Sequence, residues 1–172
     1  MKQSVRLQVS EYRFDTCSIF YKGSGDMVYE TKSAEETHAL GKMMGEKALP
    51  GEVYALSGDL GAGKTVFTQG FAEGLGVSGP VTSPTFTILQ NYDDGRLSFY
   101  HFDVYRIEDI DEMDEIGCDD CFYGDGVCLV EWAEIIRELL PPDTVWVNIE
   151  KETWRGDDVR RITIRSGRAF TD

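Results

Sequence analysis

The sequence predicts an α/β fold around a mixed central sheet, and three observations lead there. Residues 58 to 65 read Gly58-Asp59-Leu60-Gly61-Ala62-Gly63-Lys64-Thr65, which fills the pattern G-x-x-x-x-G-K-[ST]. The apolar run Val53-Tyr54-Ala55-Leu56 precedes it as a buried strand would, and Val66, Phe67, Phe71, Ala72 and Leu75 follow at helical spacing until Gly76 offers a stop. An Asp94-Gly95 turn further on joins two β-rich stretches into a hairpin, so antiparallel strands sit inside a chain that otherwise alternates strand and helix. Strand, glycine loop and helix in that order give a P-loop NTPase-like three-layer sandwich as the expected architecture.

The motif carries its own chemistry. Gly58, Gly61 and Gly63 let the backbone curl until several N–H groups point inward, and a helix N-terminus adds a dipole that favours negative charge. Lys64 would bring an ammonium to the β/γ-phosphates of a nucleoside triphosphate, and the Thr65 hydroxyl a ligand to a bridging Mg2+. Gly58, Gly61, Ala62, Gly63, Lys64, Thr65 and Val66 are therefore the candidate nucleotide-binding stretch.

Along the chain, Val5, Leu7 and Val9 alternate like a strand and Lys22-Gly23-Ser24-Gly25 reads as a linker, making residues 1–26 an N-terminal extension and residues 27–172 the P-loop domain. Ser33-Ala34-Glu35-Glu36 is a capping box opening a helix to about Lys47, with Leu40, Met43 and Met44 as core. After the P-loop helix, residues 79–86 form a proline-punctuated loop near the phosphates, leading into a strand from Thr85 to Tyr92 and its hairpin partner from Leu97 to Tyr105. Ile107, Ile110, Met113 and Ile116 form a helical stripe, Val127-Cys128-Leu129-Val130 a buried strand, and Ala133 to Leu140 a helix that Pro141-Pro142 ends. Thr144 to Ile149 and Arg161 to Arg165 read as closing strands around a loop that holds Trp154 and Arg155.

Composition narrows the function classes. Seventeen Lys and Arg against 31 Asp and Glu leave a net charge of −14, which argues against an extended nucleic-acid footprint because phosphate backbones are bound by clustered cations. Any polynucleotide is expected to come through a partner. The acids crowd between Glu108 and Asp120, which fits either a solvated helix face or a surface for docking a basic protein. No apolar run approaches the roughly 20 residues that span a bilayer, and the start is too interrupted by charge for a signal peptide, so no membrane association and a cytoplasmic location are expected. Cys118-Asp119-Asp120-Cys121 is a C-x-x-C without a second pair, and with no helix start after it; neither a zinc site nor a redox motif is expected there, and Cys128 reads as a small core residue.

A P-loop needs a carboxylate for the metal or the attacking water, commonly at the end of a hydrophobic strand, and Glu131 follows Val127–Val130 at that place. Asp103 is the other candidate: in His101-Phe102-Asp103-Val104-Tyr105-Arg106 a period of two puts His101, Asp103 and Tyr105 on one face. Together with the P-loop, Ser83-Pro84-Thr85-Phe86, Glu115-Ile116-Gly117 and Val130-Glu131-Trp132, this ordered set resembles the TsaE (YjeE) family, the P-loop ATPase of tRNA threonylcarbamoyladenosine synthesis. The resemblance runs from Met27 to the C-terminus. It implies ATP and Mg2+ as ligands, ATP hydrolysis that is slow without partners, action with the TsaB and TsaD proteins, and contact with tRNA only through them. It further implies that Lys64 and Thr65 grip phosphate and magnesium, that Ser83 to Phe86 and Asp103 act as switch elements, and that Glu131 serves metal or water. Trp132 would pack beside the site, and Arg155 is the candidate nucleotide contact from the last loop. The segment before Met27 exceeds the family's usual length, and Cys118 and Cys121 match none of its motifs. Two other readings share the P-loop: a small-molecule kinase, for which no arginine-bearing lid stands out, and a nucleotide-gated binding module.

Overall fold

Strand β4 (Val53–Ser57) shows how the layers arise, because its successive side chains go to opposite cores. Tyr54 and Leu56 pack with Phe67, Phe71 and Leu75, whereas Val53 and Ala55 pack with Phe102, Met113 and Phe122. A strand buried on both faces needs cover on both, which is why Val53–Leu56 reads as a continuous apolar run. A computed structural model describes residues 11–14, 17–21 and 26–167. The strand anticipated from Val5, Leu7 and Val9 and the linker at residues 22–25 lie outside these.

Among the described residues nine strands form one sheet in the order β1-β2-β3-β9-β8-β4-β7-β6-β5. These are β1 (Glu11–Phe14), β2 (Cys17–Tyr21), β3 (Met27–Thr31), β4, β5 (Leu89–Tyr92), β6 (Phe99–Asp103), β7 (Val127–Glu131), β8 (Val145–Lys151) and β9 (Arg160–Ser166). The centre is parallel, with β4 between β8 and β7, and β7 beside β6. Antiparallel strands flank it, β5 on β6 and β9 on β8, so the sheet is mixed as expected.

Helices α1 (Ala34–Lys47) and α2 (Lys64–Leu75) belong to one core, and α3 (Glu112–Ile116) and α4 (Cys118–Phe122) to the other. Ser33 caps α1 by accepting from the Glu36 amide at 3.2 Å, while the Glu36 carboxylate reaches back to the Lys32 amide at 2.7 Å. The α1–α2 contact is backbone on backbone: a Cβ on Gly41 would lie 2.2 Å from the Phe67 carbonyl oxygen, and one on Gly70 would lie 2.0 Å from that of His38. Among the described residues no helix is long and apolar enough to cross a membrane.

Four local expectations need correction. The strand expected from Thr85 begins only at Leu89, because residues 85–87 turn and Ile88 takes a left-handed φ of 65°. The stripe Ile107, Ile110, Met113 and Ile116 does face the core, but residues before Glu112 are turns and Gly117, at φ 75°, divides what remains into two short helices. Residues Ala133–Leu139 coil as a 3-10 helix kinked at Ile136 (φ −113°). The C-x-x-C does open a helix, since Cys118 and Cys121 both lie in α4.

Candidate functional site

The carboxyl ends of β4, β7 and β6 lie side by side, and the chain spends its polar side chains there. Ligand crevices in α/β sheets form outside such strand ends. Behind β4 the backbone turns sharply at Gly58, where φ is 138° and any Cβ would stand 2.3 Å from the Ile149 carbonyl oxygen. Gly63, at φ 111°, then caps α2 with no side chain, leaving the first amides of a 12-residue helix to face outward. The hairpin of β8 and β9 holds the loop from outside. Arg160 Nε donates to the Ala62 carbonyl at 2.8 Å and Lys151 Nζ to that of Leu60 at 2.7 Å.

Lys64 is buried, and its ammonium donates to the carbonyls of Gly58 at 2.6 Å and Asp59 at 3.0 Å. The Trp132 ring covers it, 3.6 Å from nitrogen to centroid. Burial pulls the Lys64 pKa down, against the charges of Glu131, Glu134, Asp103 and Asp59 that favour its protonated form.

Glu131 and Asp103 occupy register positions directly paired across β7 and β6. Both are buried, and each carboxylate is held by hydroxyls. Thr65 Oγ1 donates to Glu131 Oε2 at 3.1 Å, while Oε1 lies 3.2 Å from Thr68 Oγ1 and 3.0 Å from His101 Nε2. Ser83 donates to Asp103 Oδ2, which Thr85 Oγ1 also reaches at 2.8 Å, and the Tyr105 amide donates to Oδ1 at 3.0 Å. Leu60, Gly61, Gly63, Lys64, Thr65 and Val66 on one side, with Ser83, Thr85, Asp103, Tyr105, Glu131 and Trp132 on the other, line a pocket of about 420 Å³. Two carboxylates beside a threonine hydroxyl are hard oxygen donors of the kind magnesium takes.

Most of the anticipated residues thus meet in one place. Gly58 and Ala62 shape the loop from behind, their carbonyls turned to Lys64 and Arg160. Arg155 lies off the pocket lining: its guanidinium is ion-paired with Glu30 and with Glu152, the latter at 2.9 Å, and faces the exposed Trp154. His101 and Asp103 do share a face, but Tyr105 falls beyond the strand end and is exposed, tilted against Trp132 at 4.8 Å between centroids. Thr68 was missed, although its place one turn after Thr65 on the same helix face was a usable signal. The two non-glycine residues with positive φ among those described, Ile88 and Trp132 (62°), both border this site; the Ile88 carbonyl accepts from the Asp103 amide and Trp132 follows Glu131. Among the described residues no group of three or more His, Cys, Asp or Glu is arranged to hold a metal ion.

Comparison with known proteins adds an independent line. Residues 31–162 match the family model described as threonylcarbamoyl adenosine biosynthesis protein TsaE. A Bacillus subtilis protein named tRNA threonylcarbamoyladenosine biosynthesis protein TsaE is 53% identical over 135 residues, 78% of this chain and 82% of that protein. One of the same name from Treponema pallidum is 42% identical over 134 residues, 78% of this chain and 96% of its own. A crystal structure of Bacillus subtilis YdiB superposes with a TM-score of 0.68 at 46% identity, covering 82% of this chain and 85% of that one.

Proposed function

Because the chain belongs to the TsaE family of tRNA threonylcarbamoyladenosine biosynthesis proteins, we propose that it is the component of that system that binds and hydrolyses ATP, acting with TsaB and TsaD. The observation that carries the reading is the convergence of Lys64, Thr65, Asp103 and Glu131 on one pocket at the N-terminus of α2. The P-loop amides and Lys64 would bind the phosphates, and Thr65 with Glu131 or Asp103 would hold the metal. Mg2+, when bound, supplies positive charge that offsets the charge developing on the transferred phosphoryl group. Whichever carboxylate does not hold the metal would orient the attacking water. Asp103, tied to Ser83 and Thr85, links that pocket to the 83–86 segment, and this is the proposed switch. A chain at −14 releases few phosphate counterions, so tRNA would be reached through the partner proteins.

The test is ATP turnover by the purified chain, alone and with TsaB and TsaD. Stimulation by the pair, lost in a folded Lys64→Ala protein, supports the proposal. Parent-level hydrolysis in Lys64→Ala, or no effect of the pair, overturns it.

A further inference from the structure

We propose that His101 is a positioning residue that holds the inner oxygen of the Glu131 carboxylate, so that the outer oxygen is presented to Thr65 and the pocket. The inference rests on the reading of Glu131 as a working carboxylate. A glutamate has three rotatable bonds, and its two oxygens are divided here: Oε2 meets Thr65 at the pocket wall, while Oε1 points inward to Thr68 and His101, both fully buried. Thr68 cannot hold Oε1 by itself. Its hydroxyl has one proton to give, and the Lys64 carbonyl lies nearer, at 2.9 Å, than Oε1 at 3.2 Å. His101 Nε2, 3.0 Å away, is then the donor available to Oε1.

That assignment fixes the tautomer, and a second observation agrees with it. Nδ1 of His101 is buried and, among the described residues, has no hydrogen-bond partner. A neutral ring with its proton on Nε2 leaves Nδ1 as a bare acceptor, whereas a proton there would be an orphaned buried donor, which folded proteins rarely tolerate. The ring is oriented by packing nearly parallel to Phe99, 10° between planes. A phenylalanine would fill the same space without an unpaired nitrogen, so packing alone gives no reason for histidine.

Two variants of the full chain separate positioning from packing. His101→Phe keeps the volume and removes the donor; His101→Gln can place an amide N–H where Nε2–H was. With TsaB and TsaD present, His101→Phe is expected to lower kcat about 10- to 100-fold with KM for ATP little changed, and His101→Gln to recover much of the loss. Independently of turnover, 15N spectra of the imidazole in the nucleotide-free chain should show the Nε2–H tautomer, with a resonance that shifts in Glu131→Gln. An Nδ1–H ring, an unchanged kcat in His101→Phe, or a His101→Gln protein as impaired as His101→Phe overturns the proposal. A parent chain with no turnover alongside its partners sinks the ATPase reading instead, and the ring spectra still decide the contact.

Discussion

Lys64 lies beneath the indole of Trp132 while its ammonium donates to two carbonyls of its own loop, those of Gly58 and Asp59. To meet phosphate the ammonium must exchange those carbonyls for phosphate oxygens, and the ring above it must feel the change. Adding ATP is therefore expected to alter tryptophan emission. Of the three tryptophans, Trp132 is the one in the pocket, so the response should vanish in Trp132→Phe; a response that persists there would place the reporter elsewhere.

Lys64→Ala removes the ammonium that the proposed phosphates would meet, together with its stem. It is expected to lower ATP turnover roughly 100-fold or more, as loss of a preorganised electrostatic group does. Thr65→Ala should raise the Mg2+ concentration needed for half-maximal rate, a shift that titration at fixed ATP would show.

Glu131→Gln keeps the volume and the contact with Thr65 but removes the charge. A fall of roughly 10²- to 10⁴-fold in turnover is expected if Glu131 acts as a general base. Parent activity in this variant would move the role to its register partner Asp103.

The backbone contact between α1 and α2 leaves no room for a methyl group. Gly70→Ala should destabilise the fold by about 1–3 kcal/mol through overpacking against the His38 carbonyl, read as a lowered urea midpoint. Gly79→Ala, with nothing within 4 Å of the new Cβ and no left-handed φ, is the control and should stay within about 0.5 kcal/mol.

Burial pushes the Cys118 thiol up to about 11, and it raises Cys121 and Cys128 too. The thiolate is the reactive form, so alkylation of these three cysteines in the folded chain should be slow at neutral pH and, at Cys118, should quicken only as the pH climbs toward that value. Mass-spectrometric mapping after iodoacetamide treatment checks this; labelling of Cys118 at its unfolded rate would contradict it.

How much of this was legible in the sequence depended on distance along the chain. The strand, loop and helix of the P-loop were readable because their signals sit within some 25 consecutive residues and each is local: an apolar run, glycines that turn, an i, i+3, i+4 stripe. Glu131 was readable from the strand before it. The clamp on Glu131 was not, because His101 meets it through the register of β6 on β7, a pairing that no local pattern encodes. At Ile88 and Ile107 the apolar pattern reported contact with the core faithfully and secondary structure wrongly. Packing against the second core accounts for those side chains, while the backbone at each of them turns. Arg155 had only its charge to recommend it, and Glu30 and Glu152 engage that charge.

The hairpin that grips the P-loop decides when that loop takes its shape. In a trans peptide the carbonyl and the following N–H point in opposite directions. With the Leu60 and Ala62 carbonyls drawn outward onto Lys151 and Arg160, the amides of Gly61 and Gly63 face the other way, toward the pocket both glycines line. An anion bound there, as proposed, would meet a seat already cast. The ordering entropy of that loop belongs to folding, and a polyphosphate binding as proposed would have only its own freedom to surrender.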